Sequence, residues 1–279
     1  MVARCMAESN LVLTDTTSNP GISIITINRP QRKNAVDPGT AKKLYDAIVA
    51  FEADATQKVC VLTGTGDTFC AGADLHNVAQ KTADSPPAEN LQPVNDRNLG
   101  PMGPSRLIVQ KPMIAAVAGY AVAGGLELSL LADMRVVEED AIFGVFCRRW
   151  GVPLIDGGTV RLQAIVGLGR ALDMILTGRP VGAQEALMMG LANHVVPKGY
   201  ALQQALDIAK QLIAFPELCM NTDRRSAYYS AYEASSFQDA LSQEFNAGVK
   251  VVSKEAIAGA AKFSKGFGRH GSFKEFSKL

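Results

Sequence analysis

The chain has 279 residues, of which 47% are hydrophobic and 20% are charged, a composition typical of a globular protein with a sizeable core. Lys and Arg number 28 against 27 Asp and Glu, and this near-neutral balance argues against a nucleic-acid or membrane-surface binder, since such proteins usually carry a basic face. The five cysteines form no CxxC pair and the three histidines form no metal-binding motif, which favours reduced thiols and no metal site.

The first part of the chain predicts strands that alternate with helices. Residues 22–27 are rich in β-branched side chains and predict a strand. Asp37 and Pro38 supply an N-cap and a first-turn proline for the helix that follows. Residues 59–63 predict a short buried strand. The order strand, helix, strand predicts a right-handed crossover and a parallel sheet.

Residues 81–104 are rich in Pro, Asn, Asp and Gly and show no sustained period. They predict a long mobile loop rather than a domain linker, because the α/β pattern resumes directly after them. Further strands are predicted at residues 113–117, 134–137 and 194–196. Beyond Gly157 the pattern is otherwise helical.

One stretch superficially resembles a membrane span, because Glu127 is the only charged residue between Lys111 and Asp133. A proline and several glycines interrupt the stretch, and a central carboxylate makes insertion costly. A buried strand, a tight turn and a buried helix are therefore predicted instead.

Glu127 is the first candidate for chemistry. If Gly124 and Gly125 open a helix, the N–H groups of its first turn are free donors that a ligand can approach closely. A carboxyl in these apolar surroundings has its pKa raised toward the range useful for general acid–base catalysis. A glutamate that only stabilises the helix N-terminus explains the same spacing equally well.

The second candidate is the turn Phe69–Leu75, with the sequence FCAGADL. Small residues after a strand expose backbone N–H groups, and Asp74 is placed to cap a following helix. The signal is weak alone, but the two small-residue turns together can supply one N–H each to a single developing oxyanion.

Five motifs in order are similar to those of the enoyl-CoA hydratase/isomerase (crotonase) superfamily. The resemblance covers about the first 200 residues, and the joint occurrence is specific although each motif alone is not. The motifs are NRPQRKNAV (28–36), FCAGADL (69–75), AGYAVAGGLELSLLAD (118–133), GGTVRL (157–162) and GRALDMILTGRPVGAQEALMMGLANHVVP (169–197).

The resemblance implies an α/β crotonase fold over residues 1–200, a spiral of repeated ββα units, and a helical region over residues 201–279. It implies trimers or dimers of trimers assembled through those helices. Apolar positions at helical spacing suit such packing: Leu241, Phe245, Val249 and Val252. It also implies no metal and no redox cofactor, with coenzyme A present only as part of the substrate.

The resemblance further assigns residues of a CoA-thioester site. The backbone N–H groups of Ala73 and Gly124 would hold the thioester oxygen as an enolate. Backbone contacts to the adenine end of CoA fall on Asn34, Ala35, Ala71, Gly72, Ala73 and Asp74. Three cations lie nearby and either meet its phosphates or form a solvated basic loop: Arg29, Arg32 and Lys33.

Glu127 matches the first of the two glutamates that hydratases use to activate water, but Cys147 occupies the place of the second. Asp156, counted back from Thr159, matches the aspartate that dienoyl-CoA isomerases use as a base and lies near the nucleophile of dehalogenases. An N-cap for a helix beginning near Gly158 remains the alternative role for Asp156. Cys147 is disfavoured as a nucleophile, since no histidine lies near it in sequence.

Three neighbours of Cys147 have open roles. Arg148 and Arg149 either pair with a carboxylate of the site or face solvent or another subunit. For Trp150, packing in the core is favoured over a position in the wall of an acyl pocket.

The predicted function is an enoyl-CoA hydratase or isomerase in which Glu127 and Asp156 move protons. The alternatives are a CoA-thioester hydrolase or dehalogenase that uses Asp156, and a CoA-binding protein with little catalysis. The sequence ends in Ser277-Lys278-Leu279, the tripeptide read by the peroxisomal import receptor, which predicts a peroxisomal location.

Overall fold

The computed structural model describes residues 11–79 and 91–266. Two compact units are present, one within residues 1–206 and one within residues 207–279. The division falls inside helix α7 (Ala201–Ile213), six residues beyond the predicted boundary at residue 200. The tripeptide at residues 277–279 lies outside the described residues.

The first unit contains two sheets. The larger has the strand order β1-β2-β3-β4-β6-β9, in which only the β1–β2 pair is antiparallel. The smaller has the order β5-β7-β8. The strands are β1 (Val12–Asp15), β2 (Ile22–Ile27), β3 (Val59–Gly64), β4 (Met113–Val117), β5 (Tyr120–Val122), β6 (Met134–Glu138), β7 (Ile142–Gly144), β8 (Val181–Gly182) and β9 (His194–Val196).

The helices of the described residues that precede α7 all belong to the first unit. They are α1 (Pro38–Ala53), α2 (Leu75–Ala79), α3 (Gly124–Ser129), α4 (Gly158–Val166), α5 (Leu168–Thr177) and α6 (Ala183–Met188). Short 3₁₀ turns occur at Pro30–Arg32, Pro104–Arg106 and Phe146–Trp150.

The predicted parallel pairing of two strands joined by a helix is confirmed. Strands β2 and β3 are parallel neighbours, and α1 connects them. Asp37 is the N-cap of α1, since its carboxylate accepts the N–H of Thr40 at 2.8 Å, and Pro38 is the first helical residue. The next four strands alternate between the two sheets. Strands β4 and β6 belong to the large sheet, whereas β5 and β7 belong to the small one. The helix α3 thus follows β5 of the small sheet and precedes β6 of the large sheet.

The stretch that resembled a membrane span forms β4 and α3, as predicted, and the short strand β5 lies in the predicted turn between them. Its side chains are almost all buried in the core of the first unit. Among the described residues, no helix combines the length and the apolar character that a membrane crossing requires.

The loop predicted over residues 81–104 is described from residue 91 onward, where it forms hydrogen bonds, and its mobility stays a prediction. Within the described part, Arg106 donates to the carbonyl oxygens of Gln92 at 2.8 Å and Leu99 at 3.2 Å. The hydroxyl of Tyr45 donates to the carbonyl oxygen of Arg97 at 2.8 Å. Tyr45 of α1 thus bonds to the described part of the loop across 52 residues of sequence.

The second unit contains α8 (Glu217–Tyr232), α9 (Phe237–Val251) and α10 (Ile257–Ser264), with a π-helical turn at Val252–Ala256. Helices α8 and α9 pack against each other. The carboxylate of Glu255 accepts the N–H groups of Leu218 and Cys219 at the start of α8. The apolar positions predicted for subunit packing are exposed in the single chain: Leu241, Phe245, Val249 and Val252.

Candidate active site

An apolar cavity of about 280 Å³ lies in the first unit, at the N-terminus of α3. Five segments of the chain line it, and they are distant in sequence although they meet in the fold. The segments contribute Val36 and Pro38, residues between 71 and 78, Pro101 and Met102, residues between 123 and 127, and residues between 146 and 156. Leu91 completes the described lining.

Two backbone N–H groups of this cavity are free to bind a ligand. Ala73 and Gly124 both line it, and within residues 11–79 and 91–266 neither N–H donates to an acceptor. The segments that carry them are in contact, because a Cβ added to Gly72 would lie 2.9 Å from the nitrogen of Gly124. Ala123, the N-cap of α3, has a φ of 54° and a ψ of −125°. Such backbone strain in a non-glycine residue is found mainly at functional sites.

Backbone pairing brings these two turns together. The N–H of Cys70 donates to Tyr120 at 2.9 Å, and the N–H of Val122 donates to Cys70 at 3.1 Å. Gly125 then packs directly on the carbonyl oxygen of Cys70, and a Cβ at this position would overlap that oxygen. Gly125 of α3 is therefore required, because the turn Phe69–Leu75 comes too close to leave room for a side chain.

Glu127 is 2% exposed and lines the cavity. Its Oε1 accepts the backbone N–H groups of Asp156 at 2.9 Å and Gly158 at 2.8 Å. Its other oxygen has no hydrogen-bond partner in the described part of the chain. Burial, and next the negative charge of Asp156, raise the pKa of Glu127 to about 7. A carboxyl with this pKa both accepts and releases a proton near neutral pH.

Asp156 is 4% exposed and also lines the cavity. Its Oδ1 accepts the backbone N–H of Met102 at 2.9 Å and the hydroxyl of Ser105. Burial raises the pKa of Asp156, and the Ser105 hydroxyl is the largest of the contacts that oppose the rise. Neither Met102 nor Ser105 was predicted as part of the site.

The alternative that Asp156 caps α4 is wrong. Gly157 is the N-cap residue, and no side chain forms a cap hydrogen bond there. Because Gly157 has a φ of 90°, the chain turns between Asp156 and the helix, and the aspartate side chain points to Ser105 instead. The first N–H of α4, that of Gly158, is satisfied by Glu127.

Cys147 lines the cavity and is buried. Burial, and next the charge of Glu127, raise the pKa of this thiol, so it stays protonated at neutral pH. The side chain is therefore a poor nucleophile. No group of three potential metal ligands lies together within the described ranges.

Arg148 and Arg149 are exposed, and among the described contacts neither pairs with a carboxylate of the site. The Nε of Arg148 donates to the carbonyl oxygen of Ile175 at 3.0 Å, and Arg149 lies 5.0 Å above the ring of Phe146. The alternative of an ion pair with Glu127 or Asp156 is therefore wrong.

Trp150 is 70% exposed and lines the cavity, so the prediction that it packs in the core is wrong. The 3₁₀ turn Phe146–Trp150 buries Cys147, whereas its last three residues, Trp150 among them, are exposed.

The predicted adenine-binding segments lie side by side. The N–H of Val36 donates to Gly72 at 2.8 Å, and the N–H of Ala71 donates to Lys33 at 3.0 Å. Asn34 is buried, and its side chain donates to the carbonyl oxygens of Thr65 and Thr68. The Asn34 side chain therefore holds the loop, while the backbone of Ala35 and its neighbours remains the predicted contact.

Arg29 is not available to a phosphate. It is buried, and its guanidinium forms ion pairs with Asp37 at 3.0 Å and Asp74 at 2.9 Å. Although burial opposes the effect, this guanidinium holds the pKa of Asp74 below its ordinary value. Arg32 and Lys33 are exposed, and the Lys33 ammonium lies 5.3 Å from the centre of the Tyr120 ring.

The division of strands between a larger and a smaller sheet, with a cavity at the N-terminus of α3, is the architecture of the crotonase superfamily. The predicted fold class is confirmed by solved structures. One crystal structure of an enoyl-CoA hydratase from Mycobacterium tuberculosis H37Rv is similar with a TM-score of 0.81 and 34% identity, covering 91% of this chain and 96% of that one.

Sequence comparison identifies the family to which the chain belongs within this superfamily. Residues 17–266 match the enoyl-CoA hydratase/isomerase family, and the chain belongs to it. Enoyl-CoA hydratase EchA19 of Mycobacterium tuberculosis is 35% identical over 250 residues, 87% of this chain and 90% of that protein. The 2,3-dehydroadipyl-CoA hydratase of Escherichia coli K12 is 34% identical over 224 residues, 80% of this chain and 84% of that protein. The chain is thus an enzyme of this family.

Proposed function

We propose that the chain catalyses the reversible addition of water to the C2–C3 double bond of a 2-enoyl-CoA thioester. One observation carries the proposal: a buried carboxyl, Glu127, has a pKa of about 7 and shares a cavity with two free backbone N–H groups. The hydratase names of the relatives support the same reaction.

The thioester carbonyl oxygen is proposed to accept hydrogen bonds from the N–H groups of Ala73 and Gly124. Addition at C3 moves the electrons of the double bond onto this oxygen and gives an enolate. Each donor placed on such an oxyanion is typically worth about 2.7 to 4 kcal/mol in the transition state. Because both donors belong to fixed backbone, they need no rearrangement during the reaction.

Glu127 is the proposed acid and base. Its ionised carboxylate takes a proton from water as the hydroxide adds to C3, and the resulting acid then returns a proton to C2 of the enolate. Asp156 is proposed to accept a hydrogen bond from the attacking water through Oδ2. In the proposed reaction no metal and no redox cofactor takes part, and coenzyme A is present only as part of the substrate.

Binding of the nucleotide end of CoA is proposed along the paired loops. The backbone of Asn34, Ala35 and residues 71–74 would contact the adenine. Arg32 and Lys33 are the exposed cations of this region and are proposed to meet the phosphates.

Isomerisation between 2-enoyl and 3-enoyl thioesters is the second candidate, favoured by Cys147 in the place of the second hydratase glutamate. With one acid and base in Glu127, the same carboxyl can carry a proton between C2 and C4. Cys147→Glu is then expected to raise the rate of hydration relative to isomerisation, measured on one preparation with both substrates.

The test is to follow the absorbance of the conjugated thioester with 2-enoyl-CoA and 3-enoyl-CoA. Hydration lowers the absorbance with the first substrate, and isomerisation raises it with the second. Glu127→Gln should lower either rate by about 10² to 10⁴, the range of general acid–base catalysis. Substitution of the exposed Glu244 by Gln is the matched control. No change with either substrate refutes both candidates.

The hydrolase and dehalogenase alternatives give different products. Release of free CoA from a thioester, with mass spectrometry showing an acylated Asp156, would replace the proposal by covalent catalysis at that residue. A hydratase releases no free thiol.

We also propose that the chain assembles as a homotrimer or homohexamer, as predicted from the sequence. The exposed apolar side chains of the second unit, Leu241, Phe245, Val249 and Val252, support this proposal, because a contiguous apolar surface favours contact with another subunit. Phe245→Glu should therefore give smaller particles in sedimentation. Particles of unchanged size would show that the subunits meet elsewhere.

The proposed location is the peroxisome, reached through the peroxisomal import receptor. This proposal rests on Ser277-Lys278-Leu279 alone. A fluorescent fusion that carries this tripeptide at its end should enter peroxisomes, and deletion of Leu279 should leave it outside.

A further inference from the structure

Asp156 is held by two donors from a distant part of the chain. Ser105, in the 3₁₀ turn Pro104–Arg106, is 2% exposed and donates its hydroxyl to Asp156 Oδ1. The backbone N–H of Met102 donates to the same oxygen at 2.9 Å. Within the described residues, the second oxygen of Asp156 has no partner. The aspartate is therefore anchored on one side only.

The serine has little freedom to move. Gly100 packs against its hydroxyl, and a Cβ on Gly100 would overlap Ser105 Oγ and lie 3.2 Å from Asp156 Oδ1. From the other side, Arg161 donates to the carbonyl oxygens of Ser105 at 2.8 Å and of Asp156 at 3.3 Å. The hydroxyl and the carboxylate are thus fixed to each other through both backbone and side chain.

We infer, on the basis of the proposed function, that Ser105 is a positioning residue for catalysis: together with the Met102 N–H it fixes Oδ1 of Asp156 and directs Oδ2 to the substrate. Hydrogen bonds to a carboxylate favour its ionised form. The Ser105 hydroxyl therefore opposes the rise that burial produces in the pKa of Asp156 and favours the ionised aspartate.

Charged groups around Asp156 act on the same two carboxyls. Glu127 faces it from α3, Arg106 from the same turn as Ser105, and Arg161 from α4. The two arginines favour the ionised aspartate, whereas the charge of Asp156 raises the pKa of Glu127. Loss of the Ser105 hydroxyl removes the largest contact that lowers the pKa of Asp156, so that pKa should rise.

The experiment compares Ser105→Ala with Ser23→Ala. Ser23 is also buried, and its hydroxyl donates to Gln57 at 3.1 Å, away from the cavity. With 2-enoyl-CoA, Ser105→Ala should lower kcat by about tenfold, as for a lost hydrogen bond to a charged group, with KM little changed. The acid limb of its kcat profile should move to higher pH, since activity needs both Glu127 and Asp156 ionised. Ser23→Ala should leave that limb in place.

A second measurement does not depend on turnover. Carbon-13 NMR of labelled aspartate side chains, assigned with Asp156→Asn, gives the titration midpoint of Asp156 directly. The midpoint should be higher in Ser105→Ala than in the wild type and in Ser23→Ala. If Ser105→Ala does not fold, Ser105→Cys keeps a side chain with only a weak donor, and the same direction is expected.

An unchanged acid limb and an unchanged midpoint in a folded Ser105 variant overturn the inference and leave the proposed function standing. A wild-type chain that turns over no enoyl-CoA thioester refutes the proposed function instead. If the midpoint of Asp156 is nevertheless raised in Ser105→Ala, Ser105 lowers the pKa of Asp156 but has no role in catalysis, and the inference is overturned.

Discussion

Glu127→Gln should change how the stability of the protein depends on pH. In the folded chain the pKa of Glu127 is raised from 4.5 to about 7, so the folded state binds this proton more tightly than the unfolded state. The protonated form therefore contributes its full stability below pH 4.5, and that contribution is lost as the pH rises through 7. The difference between the two pKa values corresponds to about 3 kcal/mol.

Glutamine cannot ionise, yet its Oε1 can accept the same two backbone N–H groups. The free energy of unfolding of Glu127→Gln relative to the wild type should therefore increase by about 2.5 kcal/mol between about pH 5 and pH 8. Urea unfolding at several pH values across this range measures the difference. The exposed Glu244→Gln is the control for a glutamate-to-glutamine exchange outside the cavity.

A difference between wild type and Glu127→Gln that is independent of pH would contradict the reasoning. It would mean that Glu127 titrates in the folded chain as it does in the unfolded chain, despite its burial. A difference that shrinks as the pH rises would show that the ionised form is the one stabilised, and the proposed proton transfer would lose its basis.

Three further predictions concern the free energy of unfolding and can be checked by urea unfolding, together with substrate kinetics for the third. Gly125→Ala should destabilise the fold by more than about 2 kcal/mol, because the new Cβ overlaps the carbonyl oxygen of Cys70. The control Gly169→Ala should instead stabilise it by up to about 1 kcal/mol, because Gly169 lies in a helix with open space around it. Equal effects of the two substitutions would contradict this reasoning. Arg29→Ala should cost about 3 to 5 kcal/mol, since it leaves two carboxylates without their buried partner, and a cost below about 1 kcal/mol would argue against it. Trp150→Ala should change the free energy of unfolding by less than about 0.5 kcal/mol, because Trp150 is exposed, and it should raise KM, because Trp150 lines the cavity. A large loss of stability would show that Trp150 packs in the core after all.

The larger elements of the fold follow from local sequence patterns. Strand β4 has the predicted bounds, and α1 begins where Asp37 and Pro38 indicate. The strands of the small sheet were not predicted as strands, because two or three residues are too few to show a period. Strand β8, with two residues, is ordered by its pairing with β7 and not by its own sequence.

The site was only partly accessible to sequence reasoning. Glu127 and Asp156 were named as candidates, and the structure places both in one cavity, but their catalytic roles remain predictions. Ser105 carries no motif, since its hydrogen bond spans 51 residues and depends on how the loop closes. The sequence also could not show that Asp156 does not cap α4. The positive φ of Gly157 decides the direction of the aspartate side chain, and no local pattern predicts it.

The hydrogen bonds that anchor the two carboxyl groups also bear on folding. Glu127 bonds to backbone 29 and 31 residues away, and Asp156 bonds to backbone 54 residues away. Contacts of this separation form late, after local helices, because the intervening chain must first be closed into loops. During synthesis Glu127 cannot acquire both of its partners until Gly158 has left the ribosome, and Asp156 must itself emerge before it can bond to Met102 and Ser105. In refolding, the return of activity should therefore lag behind the return of helical signal.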